Sequence, residues 1–444
     1  MKNSLFYCLL LSLSAATALQ AQGPASTNWK ENAGSTAWET ATNWNNGVPL
    51  QNSAAYVAFN QAVISSAVTS IKSLYVGGAS LSELTIATGG SLTVTGSSLV
   101  RISQSSTSSQ IGLLTIAGGT LNATGRIYLG VNNGSNATLV VSDGGTLNTT
   151  GVVGLSNQTG ENSNQTATLV IGGLTTAAQA GWINATQISA SGADNTNTLI
   201  FNHTNERYTL LKGASSSEAL NITGALQVQL KAGTTVLTGA NTYERGTLIQ
   251  SGATLLANTA DAAQSATGTG TVTVNAGGTL GGIGYIGGAA AISGTLKPGD
   301  DADGAASASY EALKFKDHLT LLGSSTSEFT LNGLSRGDGY SAADVTGDLA
   351  LGGTLKIVLG PDIALVEDAS FQLFNVTGEI TGSYASFDLP ETWQGLSLTW
   401  DTQKLSTLGT LSVHVQPIPE PSHFITALGF GAAFLLLRRR RATA

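Results

Sequence analysis

The chain is poor in the residues that most proteins use for chemistry, and poor in charge. Its 444 residues include one cysteine, one methionine, four histidines and eight prolines, and only 10% are charged, against a typical ~25%. The one cysteine, Cys8, lies in an apolar stretch near the N-terminus. The remainder therefore has neither disulfides nor thiolate chemistry to draw on. Few prolines, and glycine without a three-residue period, exclude collagen. Scarce charge with abundant glycine excludes an ordinary helical bundle, because each interior Gly costs ~1 kcal/mol. Disorder is excluded by 41% hydrophobic residues and a net charge of only −8. What the chain has in excess is glycine, 55 residues. An all-β chain with many turns remains.

Both ends read as targeting segments. Residues 1–21 combine Lys2, the apolar run Leu5–Leu19 and small residues up to Ala21, the pattern of a cleaved secretory signal. At the other end, Pro417-Ile418-Pro419-Glu420-Pro421-Ser422 continues neither strand nor helix and reads as a stalk. Phe424–Leu437 is an apolar run followed by Arg438, Arg439, Arg440 and Arg441. As a helix this run spans about 21 Å, short of the ~30 Å hydrocarbon core. Flanking residues and local thinning make up the difference. The arginines belong on the cytoplasmic side, which puts the body outside that membrane.

Pro419-Glu420-Pro421, the apolar run and the Arg cluster, in that order, resemble the PEP-CTERM sorting signal. The resemblance covers residues 417–444. It implies sorting by an exosortase, a membrane cysteine transpeptidase, so that attachment to the membrane is transient. Glu420 then belongs to a recognition motif and not to a catalytic site.

The body repeats itself. Leu84–Gly96 (LTIATGGSLTVTG), Leu114–Gly125 (LTIAGGTLNATG), Leu139–Gly151 (LVVSDGGTLNTTG) and Leu169–Thr175 (LVIGGLT) align. Their Gly pairs start at Gly89, Gly118, Gly144 and Gly172, 26 to 29 residues apart. Further copies lie at Val272–Leu280 and Leu349–Leu355. Apolar and polar residues alternate on both sides of each pair, which places the apolar set on one strand face. Gly-Gly accepts φ > 0 and turns the chain. A unit this short cannot bury its apolar face alone, whereas stacked copies share one core. The expected fold is all-β, a right-handed parallel β-solenoid, with short terminal α-helices from the leader and the C-terminal anchor. An array of sandwiches with Gly-turn hairpins is the alternative.

Gly233–Leu255 resembles the autotransporter-associated β-strand repeat, through Leu237, Gly239, Asn241 and Tyr243 followed by Gly246-Thr247-Leu248. Gly277–Gly299 resembles the coil that follows it, and Trp38–Pro49 the N-terminal cap of such proteins. The division expected is a signal peptide (1–21), a cap (22–50), solenoid repeats (51–232), the resembling repeat region (233–300), closing coils (301–416) and the sorting tail (417–444). Trp29, Trp38 and Trp44 are large enough to cover an open solenoid end; sugar binding is their functional alternative. No series of amphipathic ten-residue segments follows, so the resemblance is carried to fold and not to self-translocation.

Few motifs suggest chemistry. Gly282–Gly287 matches G-x-G-x-x-G, but no helical pattern follows. Asp300-Asp301-Ala302-Asp303-Gly304 resembles half a calcium loop without a closing Glu. Arg336-Gly337-Asp338 is a tripeptide that chance supplies readily. His203, His318, His414 and His423 form no cluster in sequence. No catalytic residue, metal ligand or cofactor is expected. Without the two tails the body carries about −12, which argues against nucleic acid as a partner. The reading is an exported, non-catalytic surface or matrix protein, an adhesin or structural rod, with exopolysaccharide a candidate partner. A polysaccharide lyase or hydrolase is one rival. A carbohydrate-binding protein using Trp182, Trp393 or Trp400 is the other.

Overall fold

A computed structural model describes residues 24–78, 81–96, 100–104, 111–156, 164–300 and 309–418. The leader (1–21), the tail from Pro419 onward and most of the Asp300–Gly304 loop lie outside these residues. The terminal helices expected there are therefore not described. The chain is about 2% helical and winds into a β-solenoid of about 12 turns with parallel stacked sheets.

Each full coil contributes three strands, one to each of three faces. Ser73–Val76 lies on face one, Ser82–Ala87 on face two and Ser91–Val94 on face three. Each pairs in parallel with its counterpart in the next coil: Val100–Ile102, Ile111–Ala117 and Thr120–Ala123. The strands on either side of a Gly pair do not pair with each other, so the hairpin alternative falls. One long strand, Gln227–Leu237, serves two faces: its first half pairs on face two and its second half on face three.

Alternation in the sequence becomes ladders in the structure. On face two, Ile64, Ile86, Ile116, Val141, Ile171 and Phe201 occupy one register column, and all are buried. Leu230, Ile249, Val274 and Ile292 extend it. Leu92, Leu121, Leu147 and Ile183 do the same on face three. Full burial of each such side chain contributes about 1.5–3 kcal/mol, and stacking makes the core continuous.

The Gly pairs divide one task. The first residue adopts left-handed backbone: φ is +85° at Gly89, +73° at Gly118, +73° at Gly144 and +80° at Gly277. The second lies against the coil before it. A Cβ on Gly119 would meet the Ile86 carbonyl oxygen at 2.7 Å, and one on Gly145 the Ile116 oxygen at 2.4 Å. At Gly352-Gly353 the positive φ, +69°, falls on the second residue instead. The copy at Gly172 also departs from this pattern. Its strand, Thr166–Gly172, stays in register, but the residues up to Trp182 form a longer excursion before face three resumes.

Both ends of the stack are covered. Trp29, Trp38 and Trp44 are buried and meet edge to face, with ring centroids 5.1 Å and 4.6 Å apart. The Trp44 indole N–H donates to the Trp38 carbonyl at 2.8 Å. At the other end an antiparallel sheet joins Ala369–Gln372, Thr410–Pro417, Leu396–Asp401 and Thr392–Trp393. A single helical turn, Leu405–Leu408, ends at Gly409 with φ +66°.

Candidate functional site

The residues of the resembling repeat prove structural. Asn241 bridges two coils: its side-chain oxygen accepts from the Ile222 N–H at 2.8 Å, and its amide donates to the Ala266 carbonyl at 2.7 Å. Tyr243 is wholly buried, with its hydroxyl 2.6 Å from that of Thr247. A buried amide can satisfy donors and acceptors of adjacent coils at once, which an apolar residue cannot.

The described residues of the other sequence candidates take part in holding coils together. Asp300 is gripped by the Arg207 guanidinium through two 2.8 Å bonds, and Asn258 donates to the same carboxylate at 2.6 Å. Both carboxylate oxygens are thus engaged in holding coils together. Gly282–Gly287 forms a corner between short strands, Thr279–Gly282 and Tyr285–Ile286, with no helix after it. A Cβ on Gly287 would lie 2.0 Å from the Gly268 carbonyl oxygen; close coil packing explains the glycine. Arg336 donates to Asp344 at 2.7 Å and to the Gln372 carbonyl at 3.0 Å, so its guanidinium is already committed.

The tryptophans also serve packing. The indole N–H groups of Trp393 and Trp400 donate to the carbonyls of Ile363 (3.2 Å) and Pro390 (2.8 Å). Trp182 lies against Tyr208, centroids 5.3 Å apart. None of the six offers a platform of exposed coplanar rings.

What the stack does present is ordered polar surface. On face three, Thr234, Thr254, Thr279, Thr295, Thr326, Thr354 and Ser386 share one outward column. The Thr354 and Ser386 hydroxyls are 2.7 Å apart. In the earlier coils Thr93, Asn122, Asn148 and Asn184 align, and Asn148 donates to Asn122 at 2.9 Å. Beside the threonines runs a column of alternating charge. Glu328 is held by Lys297 at 3.3 Å and by Lys356 at 3.1 Å. The two lysines tie the Glu328 carboxylate to the coils on either side of it.

Two histidines have perturbed surroundings. His203 is buried, with Nε2 2.9 Å from the Thr235 hydroxyl, and burial pushes its imidazole down to about 4. It is neutral near pH 7. His414 stands exposed on the closing sheet. Its Nδ1 is 2.8 Å from Asp368 and 3.2 Å from Glu367. The Glu367 hydrogen bond leads the effects that raise its pKa, while the Val415 N–H and His414 hold Glu367 below the usual carboxylate range. Glu367, Asp368 and His414 each offer one ligand atom, all within 4.8 Å of one another. They are the described residues best placed to hold a metal ion. The ion pair already satisfies them, and a cation would have to displace it.

Pro419, Glu420, Pro421 and Arg438 to Arg441 lie outside the described residues. Among the described residues no helix is long and apolar enough to cross a membrane.

No protein-family model matches the chain. Over 216 residues, 48% of its length, it is 29% identical to the Adhesin BmaC autotransporter of Brucella suis biovar 1 (strain 1330). The matched stretch is 6% of that protein. Together with the stacked fold, this similarity fits an autotransporter-like β-repeat protein.

Proposed function

We propose that the chain is an exported, non-catalytic rod of the bacterial surface or its extracellular matrix, acting in adhesion or as a structural element. One observation carries the reading: 12 or so stacked coils present long ordered columns of Thr, Asn and paired charge. A retaining or inverting hydrolase requires two carboxyl groups facing a groove. Glu328, Asp300 and Asp344 are each held instead by a lysine or arginine. The adhesin named in the matched relative supports the same direction.

Delivery follows from the tail. The leader directs export, and an exosortase acts at Pro419-Glu420-Pro421 while the apolar run and Arg438–Arg441 hold the chain at the membrane. The mature rod then reaches the exterior. Replacing Pro419, Glu420 and Pro421 by alanine tests this in the native host. The variant should stay in the membrane fraction with its tail attached. Release indistinguishable from the parent would overturn the sorting assignment.

A further inference from the structure

Face one carries a strip that the adhesive reading does not by itself specify. Tyr56, Tyr75, Arg101 and Tyr128 occupy one outward register column in four successive coils. Three register steps of ~4.8 Å make it about 14 Å long, running along the solenoid axis. The Tyr56 and Tyr75 rings are stacked, centroids 4.4 Å apart and 5° from parallel. The Arg101 guanidinium carbon lies 5.9 Å from the centroid of the Tyr75 ring. Arg126, exposed beside the column, donates to the Tyr128 hydroxyl at 3.3 Å.

The two arginines differ from the other three among the described residues. Arg207 and Arg336 each hold a carboxylate, and Arg245 donates to the carbonyls of Gly192, Ala193 and Asn195. Among the described residues, Arg101 and Arg126 have no carboxylate and no carbonyl acceptor. The Nε of Arg101 is buried without a hydrogen-bond partner. In a chain with more acidic than basic residues, two guanidinium groups on one face without an acid stand out. A guanidinium presents a planar fork of donors that matches a carboxylate. The Tyr75 ring lies against the Arg101 guanidinium, and Arg126 meets the Tyr128 hydroxyl. The strip thus sets phenolic hydroxyls beside carboxylate-bonding groups.

We propose that the strip formed by Tyr56, Tyr75, Arg101, Arg126 and Tyr128 binds an acidic polysaccharide, its guanidinium groups taking sugar carboxylates and its phenols sugar hydroxyls. The proposal deepens the reading of the chain as a surface protein. Nucleic acid fits less well: two cations neutralise too few phosphates, and the acidic body repels the rest.

The test is binding of the purified full chain to sodium polygalacturonate, followed by affinity electrophoresis or calorimetry. Neutral dextran, dextran sulfate and polyglutamate run beside it. The parent should bind polygalacturonate, and R101Q/R126Q should bind at least tenfold more weakly with an unchanged melting curve. If the double variant folds poorly, R126Q alone, at an exposed position, should still weaken binding severalfold. K404Q, which removes a distant exposed cation, should bind like the parent. No binding by the parent, or equal binding by the folded arginine variants, would overturn the proposal. Tighter binding of dextran sulfate would overturn the carboxylate assignment, and equal binding of polyglutamate or dextran the assignment to an acidic sugar. Purified protein is used throughout, so a failure here is separate from any failure of the sorting assignment.

Discussion

A Cβ placed on Gly90 would sit 2.2 Å from the carbonyl oxygen of Ile64, in the coil before it. No backbone oxygen in a hydrogen-bonded stack can yield that distance without moving its coil. Gly90→Ala should therefore cost several kcal/mol, in the range of severe core lesions. Gly144→Ala meets open space but keeps φ at +73°, and should cost about 1–2 kcal/mol. Gly34→Ala has neither problem and should be nearly neutral. Urea melts of the three rank the two causes separately.

Asn241 joins the coils on both of its sides. Asn241→Ala strands a buried N–H at Ile222 and a buried carbonyl at Ala266. Each unsatisfied group costs ~1–3 kcal/mol, so the loss should fall at about 2–6 kcal/mol. A change below 1 kcal/mol in the same melts would show that the amide is not the bridge described.

Much of this was legible in the sequence, because a solenoid writes its fold locally. Alternation around Leu84 and Leu92 gave the strands, and the Gly pairs gave the corners. The second role of the pair was not legible. Contact of Gly90 with Ile64 depends on the neighbouring coil, and a single repeat carries no sign of it. The column Tyr56–Tyr75–Arg101–Tyr128 was missed for a related reason. Its members stand 19, 26 and 27 residues apart, and only the register of unequal coils aligns them. Arg207 and Asp300 lie 93 residues apart, and no local pattern announces their pairing.

The tryptophan cap predicts where the rod opens first. Trp38→Ala should cost about 3–5 kcal/mol. In a stack whose coils contact only their neighbours, the damage should stay near one end. Hydrogen exchange should rise in Ala54–Val57 and Ser73–Val76 and remain slow at Leu313–Phe315. Uniform loss of protection would mean the stack melts as one unit.

Burial of His203 makes the fold acid-sensitive. Its folded pKa, about 4, lies below the unfolded value of 6.5. Well above pH 6.5 both states are neutral, and stability is unaffected by this group. As pH falls below 6.5 the unfolded chain takes up the proton first, so stability declines until both states are protonated below about 4. From pH 6.5 to pH 5 the decline from His203 alone should be about 2 kcal/mol. His203→Gln should flatten that part of the profile. An equally steep profile in the variant would assign the slope elsewhere.

Export of the rod with loss of both tails is the central proposal. Intact mass spectrometry of the protein from fractionated native cells tests this most directly. The mature species should be extracellular or surface-bound, should lack residues 1–21, and should end at or near Pro419-Glu420-Pro421. A full-length mass retaining Met1 and Arg438–Arg441 in the cytoplasmic fraction would contradict it.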